Sequence, residues 1–304
     1  MDWRLVVALG FFSVACSGGG DDGTVDDTED VGDDDDDDGG TTDTDTEPEP
    51  PADSDADGLT DEEEVTLGLD PMSPDTDGDG LDDGLEVADG LDPLNVDTDG
   101  DGYRDGDEAA VGSDPANADS VIYIGGWPYV SDKSAIEPGT GTYAAVGERI
   151  MAYATQDQFD DTVDLYDFHN DEGKYIMLDV SAQWCPPCQM ISSWLDGDYA
   201  SLDADWLKVR EAVDDGDIYW VTVLGENMWG NECKQKNAEQ WYNDFPHPNI
   251  PVLADPSYSM TTHVQLAAWP TIIVLNPDLT VAYIPPATPN NGWWDSVEWM
   301  NDQL

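Results

Sequence analysis

Three segments of this chain recur with a period of 22 residues, and they leave little choice about how that part can fold. Asp53-Ser-Asp55-Ala-Asp57-Gly58-Leu59-Thr-Asp61-Glu-Glu-Glu64 returns as Asp75-Thr-Asp77-Gly-Asp79-Gly80-Leu81-Asp-Asp83-Gly-Leu-Glu86. It returns again as Asp97-Thr-Asp99-Gly-Asp101-Gly102-Tyr103-Arg-Asp105-Gly-Asp-Glu108. Carboxylates fall at loop positions 1, 3, 5, 9 and 12, glycine stands at 6 where the chain must turn sharply, and a main-chain carbonyl is available at 7. A hard cation gathering about six or seven oxygens requires this spacing. The candidate ligands are the carboxylates named above, with Leu59, Leu81 and Tyr103 offering carbonyl oxygens. Without a divalent ion these acids repel one another, so the segment is expected to be loose alone and ordered by calcium, binding energy becoming folding energy.

Ten residues separate the end of one loop from the start of the next, as in Val65–Pro74, so two full helices do not fit between loops. That argues against paired EF-hands. Gly-Leu-Asp-Pro at 68–71 and 90–93, echoed as Gly-Ser-Asp-Pro at 112–115, completes the pattern. Residues 53–118 thereby resemble thrombospondin type 3 repeats. The resemblance implies a calcium-rigidified stalk with little core and implies no catalysis.

Charge divides the chain in the same place. Residues 21–120 hold 40 of the 69 acidic residues and one base, Arg104, whereas residues 121–304 hold 11 of the 12 tryptophans. The second half can bury a core and the first cannot do so unaided. A formal net charge of −60 repels nucleic acid and attracts cations. Residues 17–52, with six consecutive aspartates at 33–38, read as a disordered, self-repelling tether. Ahead of it, Arg4 and the apolar run Leu5–Ala15 have signal-peptide character. Ser13-Val14-Ala15-Cys16 followed by Ser-Gly-Gly-Gly resembles a bacterial lipoprotein signal, which implies residues 1–16 as the signal region, lipidation of Cys16, export, and a membrane anchor facing the cell surface or periplasm.

Cys185 and Cys188 stand two residues apart in Asp179-Val-Ser-Ala-Gln-Trp184-Cys185-Pro-Pro-Cys188. On spacing alone they could be a redox pair, half of a metal site or a structural staple. Lys174–Val180 reads as a buried strand, apolar apart from Asp179. Pro186 and Pro187 suit the first turn of a helix, where a missing N–H costs nothing. Cys185 then sits at the helix N-terminus, where free amides and the helix dipole favour a thiolate.

The layout resembles thioredoxin-like proteins. Trp184 precedes the first cysteine, Asp179 stands six residues before it, and Ala268-Trp269-Pro270-Thr271-Ile-Ile-Val-Leu-Asn276 matches a cis-proline followed by a strand. Val146–Glu148, Asp164–Phe168 and Ile250–Pro256 match the TlpA-type and peroxiredoxin-related branch. The resemblance covers residues 143–304 and implies an α/β fold, a central mixed sheet flanked by helices. Expected elements are helices near 204–214, 232–244, 257–266 and 291–303 and strands at 217–224, 271–276 and 279–284. Trp293, Val297, Met300 and Leu304 share the packed stripe of the last helix. Residues 119–142 carry no recognisable pattern.

The implied activity is thiol–disulfide exchange with a protein or peptide partner and a separate electron donor or acceptor, requiring no cofactor beyond calcium in the repeats. Cys185, more exposed, would attack; Cys188 would resolve; Asp179, its pKa raised by burial, would relay a proton; Pro270 would help hold the partner chain; Trp184 and Trp269 would wall the groove. Three rivals remain. Cys233 with His169, His247 or His263 could complete a metal site. A thiol peroxidase would want threonine where Ala182 stands. A calcium-dependent surface scaffold would carry an inactive domain of the same fold.

Overall fold

In the computed structural model of the chain, which describes residues 51–286 and 293–304, each acidic repeat is a loop closed by a seven-residue helix. The helices are α1 (Asp61–Leu67), α2 (Asp83–Asp89) and α3 (Asp105–Val111). Gly58, Gly80 and Gly102 turn the loops with φ of 105°, 102° and 102°, a region that side chains avoid. Each helix stops at a left-handed glycine, Gly68, Gly90 or Gly112, whose amide donates to the carbonyl of Glu64, Glu86 or Glu108. One short helix per repeat agrees with the ten-residue spacing. The repeats also touch each other. The Gly84 amide donates to Asp57 Oδ2 at 2.9 Å and the Gly106 amide to Asp79 Oδ2 at 3.0 Å. A Cβ at Gly84 would collide with the Asp57 carbonyl oxygen, so the close approach requires glycine.

The second half opens with a hairpin, β1 (Ala154–Gln156) against β2 (Thr162–Asp164). It continues through β3 (Ile176–Ala182), α4 (Pro186–Leu195), α5 (Asp203–Asp214) and β4 (Tyr219–Glu226). Then come α6 (Gln235–Asp244), β5 (Val252–Ala254), α7 (Ser259–His263), β6 (Thr271–Leu275), β7 (Val281–Tyr283) and α8 (Trp293–Gln303). Five strands form one mixed sheet in the order β5-β4-β3-β6-β7. β4 runs parallel to β3 and β5, while β6 runs antiparallel to β3 and β7. This is the helix-flanked mixed sheet that the thioredoxin-like resemblance implies.

Alternation along the strands feeds two cores. Ile176, Leu178, Val180, Val221, Val223, Ile273 and Leu275 face one side, beneath Ile150, Val163, Leu165 and Phe168. Met177, Trp220, Ile272 and Val274 face the other, beneath Trp194 of α4, Val209 and Val213 of α5 and Val297 and Met300 of α8. With both faces covered, every residue of β3 is buried, which explains why it reads as an apolar run interrupted only by Asp179 and Ser181.

Several expectations shift. The helix expected at 257–266 shortens to α7, because Gln265 takes a left-handed φ of 52° just beyond it. Trp293, Val297 and Met300 pack as expected, but Leu304 lies past the helix end and is exposed. The patternless segment 119–142 supplies Tyr123, Trp127 and Ile136 to the first core. The signal region, Cys16 and the acidic tether lie outside the described residues, apart from the tether's last two residues, Pro51 and Ala52. Among the described residues, no helix is long and apolar enough to cross a membrane.

Candidate functional site

Cys185 is the N-cap of α4, with Pro186 and Pro187 at the first helical positions. The Cys188 amide donates to Cys185 Sγ at 3.2 Å, so the first free N–H of the helix points at the sulfur that would carry charge. The two cysteines form a disulfide across a Cα separation of 5.3 Å. In this closed form Cys185 is 2% exposed and Cys188 is fully buried. The expected difference in exposure is therefore slight, both cysteines lying in one buried cluster with Ala182, Leu224 and Trp241.

Around the pair, the sequence candidates separate into those at the surface and those beneath. Trp184 is 42% exposed, and its Nε1 donates to Glu226 Oε2 at 2.7 Å. The Trp269–Pro270 peptide is cis, and Pro270 is buried. Trp269 is half-buried and packs against the cluster containing both cysteines. Its ring lies so close over β4 that a Cβ at Gly225 would come within 2.5 Å of Cη2. It is therefore a packing residue of this cluster.

Asp179 is fully buried in β3. Burial pushes its carboxyl up to about 7, opposed by the Ser181 hydroxyl and then by Trp220 and Thr222. Ser181 Oγ donates to Oδ1 at 2.7 Å, whereas Oδ2 and the Trp220 Nε1 make no hydrogen bond of good geometry. A carboxyl in this condition can hold or release a proton near neutrality.

Among the described residues, Cys233 forms no ligand cluster with His169, His247 or His263, and the last two have other partners. Cys233 is buried in the same cluster as the pair, its thiol pushed up to about 12 by burial and then by Asp255 and Glu226. His247 Nε2 meets Asp214 Oδ1 at 3.0 Å. His263 Nε2 accepts from the Met151 amide at 3.3 Å, and its Nδ1 lies 3.2 Å from the Thr142 carbonyl.

Sequence reasoning missed the loop between β4 and α6. Asn227 organises it: its Oδ1 accepts from the amides of Trp229 and Asn231, and its Nδ2 donates to the Glu232 carbonyl. The loop presents Met228 at 50% and Trp229 at 86% exposure. With Gln183, the residue before Trp184, it lines a cavity of about 530 Å³. The signal was Trp-Gly in a polar stretch, a bulky apolar residue spent where it packs against nothing.

The second candidate site is the acidic ladder. Asp53, Asp55 and Asp57 bring oxygens within 4.8 Å of one another, as do Asp75, Asp77 and Asp79, and Asp97, Asp99 and Asp101. Positions 9 and 12 depart from a single-loop reading. Asp61 accepts from Ser54 N and Oγ, Asp83 from Thr76 N and Oγ1, and Asp105 from Thr98 N. Asp83 also joins Asp57 and Glu64 of the preceding repeat, and Asp105 joins Asp79 and Glu86. The candidate ligands thus interleave: Asp57 and Asp79 each belong to two groups. Glu64, Glu86 and Glu108 are fully buried with both carboxylate oxygens unpartnered. Burial, and then the neighbouring aspartates, push them up to about 7, 8 and 7. Buried oxygen clusters without donors are a donor set that fits a hard divalent cation. Leu59 and Tyr103 are buried and Leu81 is half-buried, each beside its loop.

Comparison with protein families matches residues 53–74, 75–96 and 97–118 to the bacterial TSP3 repeat. Comparison with curated proteins finds no match. Among solved structures, the exposed lipoprotein thioredoxin of Streptococcus pneumoniae is 23% identical with a TM-score of 0.34, over 50% of this chain and 99% of its own. The thioredoxin domain of a thiol-disulfide oxidoreductase of Bacteroides vulgatus is 17% identical with a TM-score of 0.36, over 52% of this chain and 96% of its own. A thiol:disulfide interchange protein of a Bacteroides species is 18% identical with a TM-score of 0.35, over 53% and 93%.

Proposed function

We propose that this chain is a thiol–disulfide oxidoreductase carried on a calcium-stiffened acidic stalk and exported as a lipoprotein anchored through Cys16. The observation that carries the reading is the Cys185–Cys188 disulfide capping α4, with the Cys188 amide aimed at Cys185 Sγ.

In the reducing direction, the Cys185 thiolate attacks one sulfur of a partner disulfide. A Cys185–partner bond forms, the partner S–S bond breaks, and the departing sulfur leaves as a thiolate that takes a proton. Cys188 then loses its proton and attacks Cys185 Sγ. The intramolecular disulfide forms, the mixed disulfide breaks, and the partner leaves as a dithiol carrying two electrons from this chain. Asp179, with a carboxyl near neutrality, receives the Cys188 proton. The same steps run backwards in an oxidase. The residues about Pro270 bind the partner's extended backbone, with Trp184, Trp269 and the Trp229 loop as walls. The groups Asp57–Glu64–Asp83 and Asp79–Glu86–Asp105, with the three loop triads, would hold calcium, which would supply charge neutralisation and stiffness and take no part in the exchange.

Cys188→Ser tests the exchange reading directly. The purified variant, mixed with a disulfide-bonded peptide, is expected to accumulate a mixed disulfide at Cys185, visible as one added peptide mass. The unaltered chain, reduced beforehand, is expected to release the peptide as a dithiol. A reduced chain that exchanges with no peptide or protein disulfide contradicts the reading and favours a surface scaffold.

A further inference from the structure

The 22-residue register continues past the third repeat, and what it does there assigns a role to the segment the sequence left blank. Continuing the count places Asp119 at loop position 1 and Ser120 at position 2. The backbone keeps the pattern: the Asp114 amide donates to Ser120 Oγ at 2.9 Å, as Asp70 does to Thr76 Oγ1 and Asp92 to Thr98 Oγ1. Thereafter every cation ligand is replaced. Val121 and Tyr123 take positions 3 and 5, Trp127 takes position 9, and Val130 takes position 12. Pro128 takes the place of Gly84 and Gly106, whose amides tie each repeat to the last. Proline has no N–H to give, and Asp101 Oδ2, the counterpart of Asp57 Oδ2 and Asp79 Oδ2, has no hydrogen-bond partner.

A different joint stands there. Position 7 is leucine in the first two repeats and Tyr103 in the third. The Tyr103 hydroxyl donates to the Trp127 carbonyl at 2.8 Å. Trp127 is 3% exposed; its Nε1 donates to Asp157 Oδ2 at 2.7 Å, and its ring stacks on Phe159 at 6.3 Å. The Tyr123 hydroxyl donates to Asp167 Oδ2 at 2.8 Å, and the Val130 amide and Lys133 Nζ both reach Asp167 Oδ1. Asp157 and Asp167 are fully buried in the catalytic half. Stripped of these donors, Asp157 would keep only the Phe159 and Asp161 amides on Oδ1 and Asp167 only the Asp164 amide, so each buried acid would lose much of its compensation.

We infer that residues 119–133 are a fourth repeat converted from cation binding to docking, so that the third acidic loop belongs to the folding unit of the catalytic domain and not to the spacer. The inference rests on the cation reading of the repeats. Its consequence is a coupling: a cation held by Asp97, Asp99 and Asp101 fixes Tyr103, which fixes Trp127 and the buried Asp157. Cation binding at the third loop therefore stabilises the thioredoxin-like half, while binding at the first loop does not.

The test uses the full chain, and near-ultraviolet circular dichroism of the tryptophans reports the catalytic half, which holds 11 of the 12. Adding millimolar calcium is expected to raise that melting transition by about 5 °C. The double variant Asp97→Asn with Asp99→Asn is expected to lose most of the rise. Asp53→Asn with Asp55→Asn is expected to keep it. Tyr103→Phe, which keeps the loop carboxylates, is expected to bind calcium with unchanged stoichiometry in calorimetry yet show about half the rise. Calcium uptake with no shift in the unaltered chain, or equal losses from the first-loop and third-loop variants, would overturn the coupling. No calcium uptake at all would overturn the cation reading beneath it.

Discussion

The two halves of this molecule bury opposite kinds of residue. In the repeats, the fully enclosed side chains are Glu64, Glu86, Glu108, Asp83 and Asp105; in the sheet domain they are mostly apolar, Trp194, Trp220, Phe168 and a run of aliphatics, with the acids Asp157, Asp167, Asp179 and Asp255 among them. Apolar burial stabilises at about 25 cal/mol per Å², so the sheet domain carries its own driving force. Glu64, Glu86 and Glu108, enclosed with no donors, oppose folding unless a ligand compensates them. Of the acids enclosed in the sheet domain, Asp157, Asp167 and Asp255 each accept from several donors, whereas Asp179, in β3 ahead of the Cys185–Cys188 turn, leaves Oδ2 unpartnered, and that is where chemistry is proposed.

The contrast can be broken most forcefully at the cysteines. Cys185→Ser is expected to slow disulfide exchange by about a thousandfold or more while leaving calcium uptake by the repeats unchanged. A calcium defect in that variant would mean the two halves are not chemically separate. Chelation is the reciprocal perturbation. With calcium removed, far-ultraviolet circular dichroism is expected to lose the contribution of α1, α2 and α3, while the tryptophan signal of the sheet domain persists at 25 °C. Retention of full helical signal in excess chelator would show that the repeats fold unaided.

Asp179 sharpens the comparison through pH. Its carboxyl lies near 7 in the fold against about 3.9 in an unfolded chain. Between those values the folded state holds a proton that the unfolded state has released. Stability conferred by the protonated form is therefore complete below about pH 4 and falls as pH rises through about 7. Asp179→Asn removes this loss. The variant is expected to be more stable than the parent at pH 8 by up to about 4 kcal/mol, with no difference near pH 4, in paired denaturant titrations. Its exchange rate is expected to fall about tenfold at pH 7, since Cys188 loses its proton acceptor. A variant equally stable at both pH values would remove Asp179 from the account.

The smallest effect belongs to the repeat joints. Gly106→Ala would set a Cβ 2.7 Å from the Asp79 carbonyl oxygen, so alanine should weaken the contact between second and third repeats. The calcium midpoint is expected to rise about threefold, against the usual gain from alanine in a helix. An unchanged or lower midpoint would show that the repeats bind independently.

Much of this was legible in the chain and some was not, for physical reasons. The loop glycines and the alternating aspartates declare themselves because a cation imposes spacing along the chain. Spacing does not say which neighbour a side chain faces, so the reach of Asp83 and Asp105 into the preceding repeat was hidden. β3 and the capped cysteine were readable from an apolar run meeting two prolines. Residues 119–142 were not, because Tyr123, Trp127 and Ile136 enter the core singly from an irregular segment and leave no period behind. The cis peptide before Pro270 was available only through resemblance, and the rigid display of Trp229 only through the hydrogen bonds of Asn227.

The central claim is that Cys185 and Cys188 form one reversible two-electron couple. Equilibrating the full chain in graded ratios of reduced to oxidised dithiothreitol, alkylating, and locating the label by mass spectrometry measures this directly. The account predicts that labels appear at Cys185 and Cys188 together along a single transition, with Cys233 independent of the ratio. A pair that stays closed at every ratio, or takes up label without regard to it, contradicts the account.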